Sequence, residues 1–224
     1  MNNQVKKSLR SALQQFALVK NVDEASFTES LKSVFDSDAV YLDKVALMDK
    51  AFDDYSDFES LREVFFDLLL INFFTEDVQK LEEDYLESKE WEEIEEETLD
   101  RGTELLNVLL YIKECEDEDI DPDLDDFLKE FLLVEEDEFQ DEHRIYEEVI
   151  ANQVLVESSP EEIARVAKSL PEFSELKELF YPMINFFRDQ DPDKQEFDTF
   201  IESSLQPEFD AAVYKLLITF NKPN

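Results

Sequence analysis

Apolar residues recur along this chain at intervals of three and four, the spacing that lines one face of an α-helix. Val5, Leu9, Ala12, Leu13 and Phe16 do so at the start and predict a basic amphipathic helix over 3–20. Phe27, Leu31, Val34 and Phe35 predict a second helix over about 26–35, and Val45, Met48 and Phe52 a third over about 38–53. A strongly apolar helix follows over 57–73, with Ser56 and Glu59 spaced as a capping box. Phe58, Leu61, Phe65, Leu68 and Leu69 mark its buried face, and Phe66, Leu70 and Phe73 widen it. Only Asp67 and Asn72 interrupt its apolar run.

Beyond Thr75 the periodicity persists in a different composition. Val78, Leu81 and Tyr85 keep one heptad phase, and Trp91, Ile94, Thr98, Leu105, Val108 and Ile112 keep another, displaced by one residue. This predicts a helical stretch over 75–114 with a kink or break near Ser88 and Lys89. Gly102 falls inside its second segment, where it costs about 1 kcal/mol relative to Ala and marks close approach of a neighbouring helix. Residues 116–126, with eight acids in eleven positions plus Pro122, read as a mobile loop. Helical patterns resume over 124–139 and 141–156.

Ser159, Pro160 and Glu162 give a strong helix start, and Pro171 ends that helix. The next carries Phe173, Leu176, Phe180, Met183 and Phe187, with Pro182 kinking it. Asp191 and Pro192 repeat the cap-then-proline signal ahead of Phe197, Phe200 and Ile201. Pro207 opens the last helix, which turns Phe209, Val213, Leu216, Leu217 and Phe220 inward. The reading is all-α, one domain over 1–224, with about eleven helices in a multi-helix bundle or irregular helical array. An offset of 115 residues aligns 57–69 with 172–184, four of thirteen pairs being identical. That raises a pseudo-repeat of two related helical halves, 27–105 and 142–220.

Composition sharpens this. A single Gly in 224 residues leaves little room for tight sheet turns, phosphate-cradling loops or nucleophile elbows. Twenty Phe and 43% apolar residues exclude an acidic disordered tail. The lone Cys115 excludes a disulfide framework or Cys-based zinc site and fits a reducing, cytoplasmic compartment. No apolar run reaches the roughly 18 residues of a bilayer span.

Charge changes the picture most. The whole chain carries −38, and residues 75–148 hold 32 Asp and Glu against 6 Lys and Arg, a net −26. One third of the length thus holds two thirds of the negative charge. Residues 1–20 hold Lys6, Lys7, Arg10 and Lys20 and no acid, which reads as a first helix drawn onto an acidic body. Most charge runs are solvated helix faces. Here the density is self-repelling, and the compensating Lys or Arg at i+4 are mostly missing. As a helix, 75–114 would span about 60 Å at ~1.5 Å per residue. With 117–148 folded alongside, it would carry about one charge per 2.3 Å, against about 1.7 Å in duplex DNA.

Candidate chemistry is sparse. Asp119, Asp121, Asp123 and Glu130 occupy positions 1, 3, 5 and 12 of an EF-hand-length loop. Leu124 stands where the turn needs Gly, Asp126 where an apolar residue belongs, and Pro122 lies inside, so no metal is assigned. His143, the only histidine, has Gln140 three residues before it and supplies no Glu-x-x-His motif. No catalytic residue and no cofactor are assigned.

The reading is a non-enzymatic acidic binding protein that occludes a basic surface, as a DNA mimic, immunity protein or inhibitor does. Its partner would be a basic protein, such as a nucleic-acid-binding protein or nuclease-like toxin, with no direct nucleic-acid or membrane contact. The contributing residues are Glu92, Glu93, Glu95, Glu96, Glu97 and Asp100, then Glu116, Asp117, Glu118, Asp119, Asp121, Asp123, Asp125 and Asp126, then Glu135, Glu136, Asp137 and Glu138. The alternative is a helical scaffold or adaptor that takes a peptide or partner helix in a Phe-rich apolar groove.

Overall fold

The computed structural model describes residues 1–76, 78–81, 83–132 and 136–222, without the side chains of 78, 79, 83, 130, 131 and 136–143. Among these residues are thirteen α-helices, eleven of seven residues or more, and no strand; the whole is 77% helical. The all-α reading and its eleven principal helices hold.

The N-terminal group comprises α1 (Asn3–Lys20), α2 (Ala25–Phe35), α3 (Tyr41–Asp54) and, after a 3₁₀ segment at Ser56–Leu61, α4 (Arg62–Glu76). A 3₁₀ turn (Val78–Leu81) and the short α5 (Glu83–Leu86) lead to α6 (Lys89–Thr98) and α7 (Leu105–Glu118). The short α8 (Leu124–Asp126) runs into a π-helical turn (Phe127–Phe131), followed by α9 (Glu136–Ala151) and a 3₁₀ segment (Gln153–Glu157). The C-terminal group is α10 (Pro160–Ser169), α11 (Lys177–Arg188), α12 (Lys194–Ser203) and α13 (Pro207–Phe220).

Three helices are central. In α4 every residue from Val64 to Asn72 is buried, in α11 every residue from Leu179 to Phe187, and in α13 nearly all from Phe209 onward. A helix apolar on all sides must be enclosed by others. The enclosing helices connect the groups, since α1 and α7 each pack on both α4 and α13. The closest pair is α1 with α13. Ser8, Ala12 and Ala17 on one and Ala211 and Ala212 on the other are all buried, and such small side chains let helix axes approach. The Gln4 amide donates to the Phe220 carbonyl, and Thr219 Oγ1 to Ser11 Oγ at 3.1 Å. The buried apolar side chains form one connected cluster from Val5 to Phe220.

Several local expectations need correction. Ion pairing at the start of α1 is made by the Met1 ammonium, which meets Asp36 at 3.3 Å and Glu76 at 2.9 Å, and not by the cations of the helix itself. Lys6, Lys7 and Arg10 are exposed and make no ion pair among the described residues, while its apolar face lies against α13. Ser56 and Glu59 form no capping box. Their segment is 3₁₀, and Glu59 binds Arg62 at 2.8 Å instead. Phe173 is 87% exposed and lies outside α11, whereas Phe58, its counterpart in the 115-residue offset, is buried. The N-cap of α12 is Asp193, whose carboxylate accepts from the Glu196 N–H at 2.9 Å, two residues beyond the expected Asp191. The capping box of Ser159 and Glu162, with Pro160 at the first turn of α10, forms as expected.

Among the described residues two carboxyls are buried in this apolar frame, and both take up protons readily. Asp67 on α4 lies well above the usual carboxylate range because burial penalises its charge, against bonds from Thr103 that favour it. Asp210 on α13 is pushed up to about 7 by burial, opposed by the Ser204 hydroxyl and the Gln206 backbone N–H. A folded value above the unfolded one of 3.8 means that the folded state binds the proton more tightly. The contribution is full below 3.8 and is lost as pH rises through about 7. From pH 8 to 5.5 this one group should add about 2 kcal/mol of stability. Urea titrations at the two pH values should show that gain in the wild type and a smaller one in Asp210→Asn. Equal gains would show that Asp210 is not the titrating group.

Candidate acidic interaction surface

The acidic section begins in earnest at α6. The Ser88 side chain accepts from the Trp91 N–H at 3.2 Å, so the break expected near Ser88 and Lys89 is a helix start. Glu90 and Glu92 in the first turn suit the positive end of the helix dipole. Glu95, Glu96 and Glu97 oppose its negative end, and no basic residue stands in the last turn. Glu92 with Glu96 and Glu93 with Glu97 are like-charged i,i+4 pairs, which repel. What holds the helix in place is its other face. Ile94 is buried, and the Trp91 ring packs against Phe74 at 5.3 Å and Tyr85 at 6.2 Å between centroids. Glu92, Glu93, Glu95, Glu96, Glu97 and Asp100 are all exposed, and none makes an ion pair among the described residues.

A continuous helix over 75–114 does not form. The chain leaves helix after Thr98 and re-enters at Leu105, with Gly102 at φ +85° between the two. The close approach expected at Gly102 is real, but it is made from a bend. A Cβ placed there would lie 2.6 Å from Asp67 Oδ1 and 3.1 Å from the Phe66 ring. The 60 Å rod on which the DNA-like charge spacing was counted is therefore absent.

The bend is fastened by charges that the sequence did not pair. The Asp67 carboxylate accepts the Thr103 N–H at 3.1 Å and also the Thr103 hydroxyl. Glu63 accepts the Gly102 N–H at 2.7 Å. Arg101 reaches both Asp49 oxygens at 3.0 Å and both Glu63 oxygens at 3.0–3.1 Å, and its guanidinium lies 5.0 Å from the Phe66 ring centroid. Burial works against the Arg101 charge, but those carboxylates outweigh it and raise its proton affinity. Beside it, Arg62 binds Glu59, Asp53 and Asp49, chiefly Glu59, and holds its own proton more tightly for it. The available signal was a single acid, Asp67, inside an otherwise apolar helix face.

The segment 116–126 is anchored, in contrast to the mobile loop expected. Helix α7 runs through Glu116, Asp117 and Glu118 and ends at Asp119, in the left-handed region at φ 58°. The Ile120 N–H then returns to the Cys115 carbonyl at 3.0 Å. The Tyr111 hydroxyl donates to the Asp123 carbonyl at 3.1 Å and accepts the Asp123 N–H at 3.0 Å. Buried Pro122 offers its carbonyl to Gln190 at 2.6 Å. The Asp123 carboxylate caps α8, accepting from Asp125 N at 2.8 Å and Asp126 N at 3.3 Å. Leu124 is buried beneath it, and no group of three or more His, Cys, Asp or Glu among the described residues could hold a metal ion.

Of the acids here, Glu116 is paired with Lys113, and Asp125 with Lys129 at 2.6 Å. Asp117, Glu118, Asp119, Asp121 and Asp126 are exposed without an ion pair among the described residues. Glu135 lies outside the described residues. Glu136, Asp137 and Glu138 open α9, but their side chains, like that of His143, lie outside the description.

The two described acidic groups share one neighbour. Phe74, near the end of α4, packs on Trp91 of α6 and lines a groove with Leu110, Glu114, Asp117 and Glu118 of α7. Glu114 was not among the acids singled out from sequence. No protein-family model, curated protein or solved structure matches this chain.

Proposed function

We propose that this chain is a non-enzymatic binding protein that covers a basic surface of another protein with its exposed carboxylates. The observation that carries this reading is α6. Six glutamates project from ten residues, with no cation paired to them among the described residues. Such a helix repels itself, and its placement depends on Trp91 and Ile94. A cationic partner would relieve that repulsion on binding, giving fast association that weakens steeply with salt. The fit is to a basic protein of the kind that otherwise holds nucleic acid, such as a nuclease or a nucleic-acid-binding domain. The lost rod removes the match to DNA charge spacing but leaves the charge itself.

Reversal of Glu92, Glu93, Glu95, Glu96 and Glu97 to Lys tests it. A basic protein retained from extract by the immobilised wild type at low ionic strength, and released by a salt step, should associate roughly 10–10³-fold more slowly with the reversed variant. Unchanged retention and salt dependence in that variant would overturn the proposal.

A further inference from the structure

The groove at Phe74 lies where α4 and α7 both end. It has a volume of about 550 Å³, within the ~300–1,000 Å³ typical of binding sites. Ile71 and Phe74 of α4, three residues apart and so on one face, line it with Leu110 of α7 and Leu81, which is 46% exposed. Along α7 the stripe begun by Leu110 continues as Glu114, then Asp117 and Glu118, at helical spacing. None of these three acids makes an ion pair among the described residues. Lys113, which also lines the groove, is engaged by Glu116.

A helix end adds to this field. Neither α4 nor α7 carries Lys or Arg in its last turn; at the end of α4 the Met1 ammonium meets Glu76 at 2.9 Å, so it is the negative dipole end of α7 that adds to the field beside the groove. A cleft with low-dielectric walls concentrates such a potential. An occupant that is only apolar would strip water from Glu114, Asp117 and Glu118 with nothing in return. One that is only charged would leave Leu81 and Leu110 wet.

We infer that the groove takes an apolar side chain from a Lys- and Arg-rich segment of the partner, whose flanking cations meet Glu114, Asp117 and Glu118. This rests on the reading of the acidic surface given above and adds to it a specific anchor. Charge brings the partner to the surface; the anchor selects which basic segment stays.

Two synthetic peptides without tryptophan test it. One is Lys-rich with two Leu four residues apart at its centre, and the other has the same length and charge with both Leu replaced by Ser. Trp91, the only tryptophan, packs on Phe74 at the groove, so its emission reports occupancy. At low ionic strength the Leu peptide should bind at least about tenfold more tightly and shift the Trp91 emission more. In the double variant Leu81→Ser, Leu110→Ser, with its fold checked by circular dichroism, that preference should vanish while the Ser peptide binds as before. Equal affinity of the two peptides for the wild type overturns the groove and leaves the acidic surface standing. So does a Leu preference that survives in the double variant. Failure of both peptides to bind at low ionic strength overturns both proposals.

Discussion

Replacing Gly102 by Ala should lower the free energy of unfolding by about 2–4 kcal/mol, read as a drop in the urea midpoint. Two independent costs meet at this residue. Its φ of +85° is a backbone region that side chains with a Cβ rarely adopt, at about 1–3 kcal/mol. The new Cβ would also fall 2.6 Å from Asp67 Oδ1, which cannot retreat without losing its bonds to Thr103. Crowding of this kind in a packed interior costs about 1–3 kcal/mol. Thr103→Val, which keeps the N–H bond to Asp67 and removes the hydroxyl one, should cost less, about 1–2 kcal/mol. A loss below about 0.5 kcal/mol for Gly102→Ala would mean that the bend at 99–104 is free to rearrange.

Arg101→Ala should cost about 2–3 kcal/mol, short of a fully buried pair because Asp49 and Glu63 are each more than a third open to water. The sharper expectation is non-additivity. In the wild type, Asp49→Asn and Glu63→Gln remove partners of Arg101 and should destabilise. Without Arg101 that pairing is already gone, and Glu63→Gln should cost at least about 0.5 kcal/mol less than it does in the wild type. A double-mutant cycle from urea unfolding measures this. Equal destabilisation by Glu63→Gln in both backgrounds would show that the Gly102 N–H bond, and not Arg101, is the main role of Glu63.

Helix boundaries were legible where a local signal sets them. Ser159, Pro160 and Glu162 start α10 because a side chain, a fixed φ and a returning carboxylate act within one turn. The bend at 99–104 was not legible. Trp91, Ile94 and Thr98 on one side and Leu105, Val108 and Ile112 on the other keep one heptad phase, because phase counts residues and not hydrogen bonds. Six non-helical residues can leave the phase unaltered. The 116–126 segment misled for the opposite reason. Its acid density signals a loop, while Tyr111, Gln190 and the Asp123 cap bind its backbone in place.

The acids of the candidate surface were legible as charge, and the exposure of Glu92 to Glu97 around a buried Ile94 follows from helical spacing alone. Their neighbours were not. Helix formation, charge and the amphipathic face depend on residues within a turn or two, so the sequence by itself determined an all-α protein with a carboxylate-dense third. Tertiary structure alone decided that α1 lies on α13, that Asp67 clasps Thr103 thirty-six residues away, and that Phe74 joins Trp91 to the α7 groove. Those pairings rest on the shapes and hydrogen-bonding groups that distant helices present to one another, and no local periodicity encodes which face meets which.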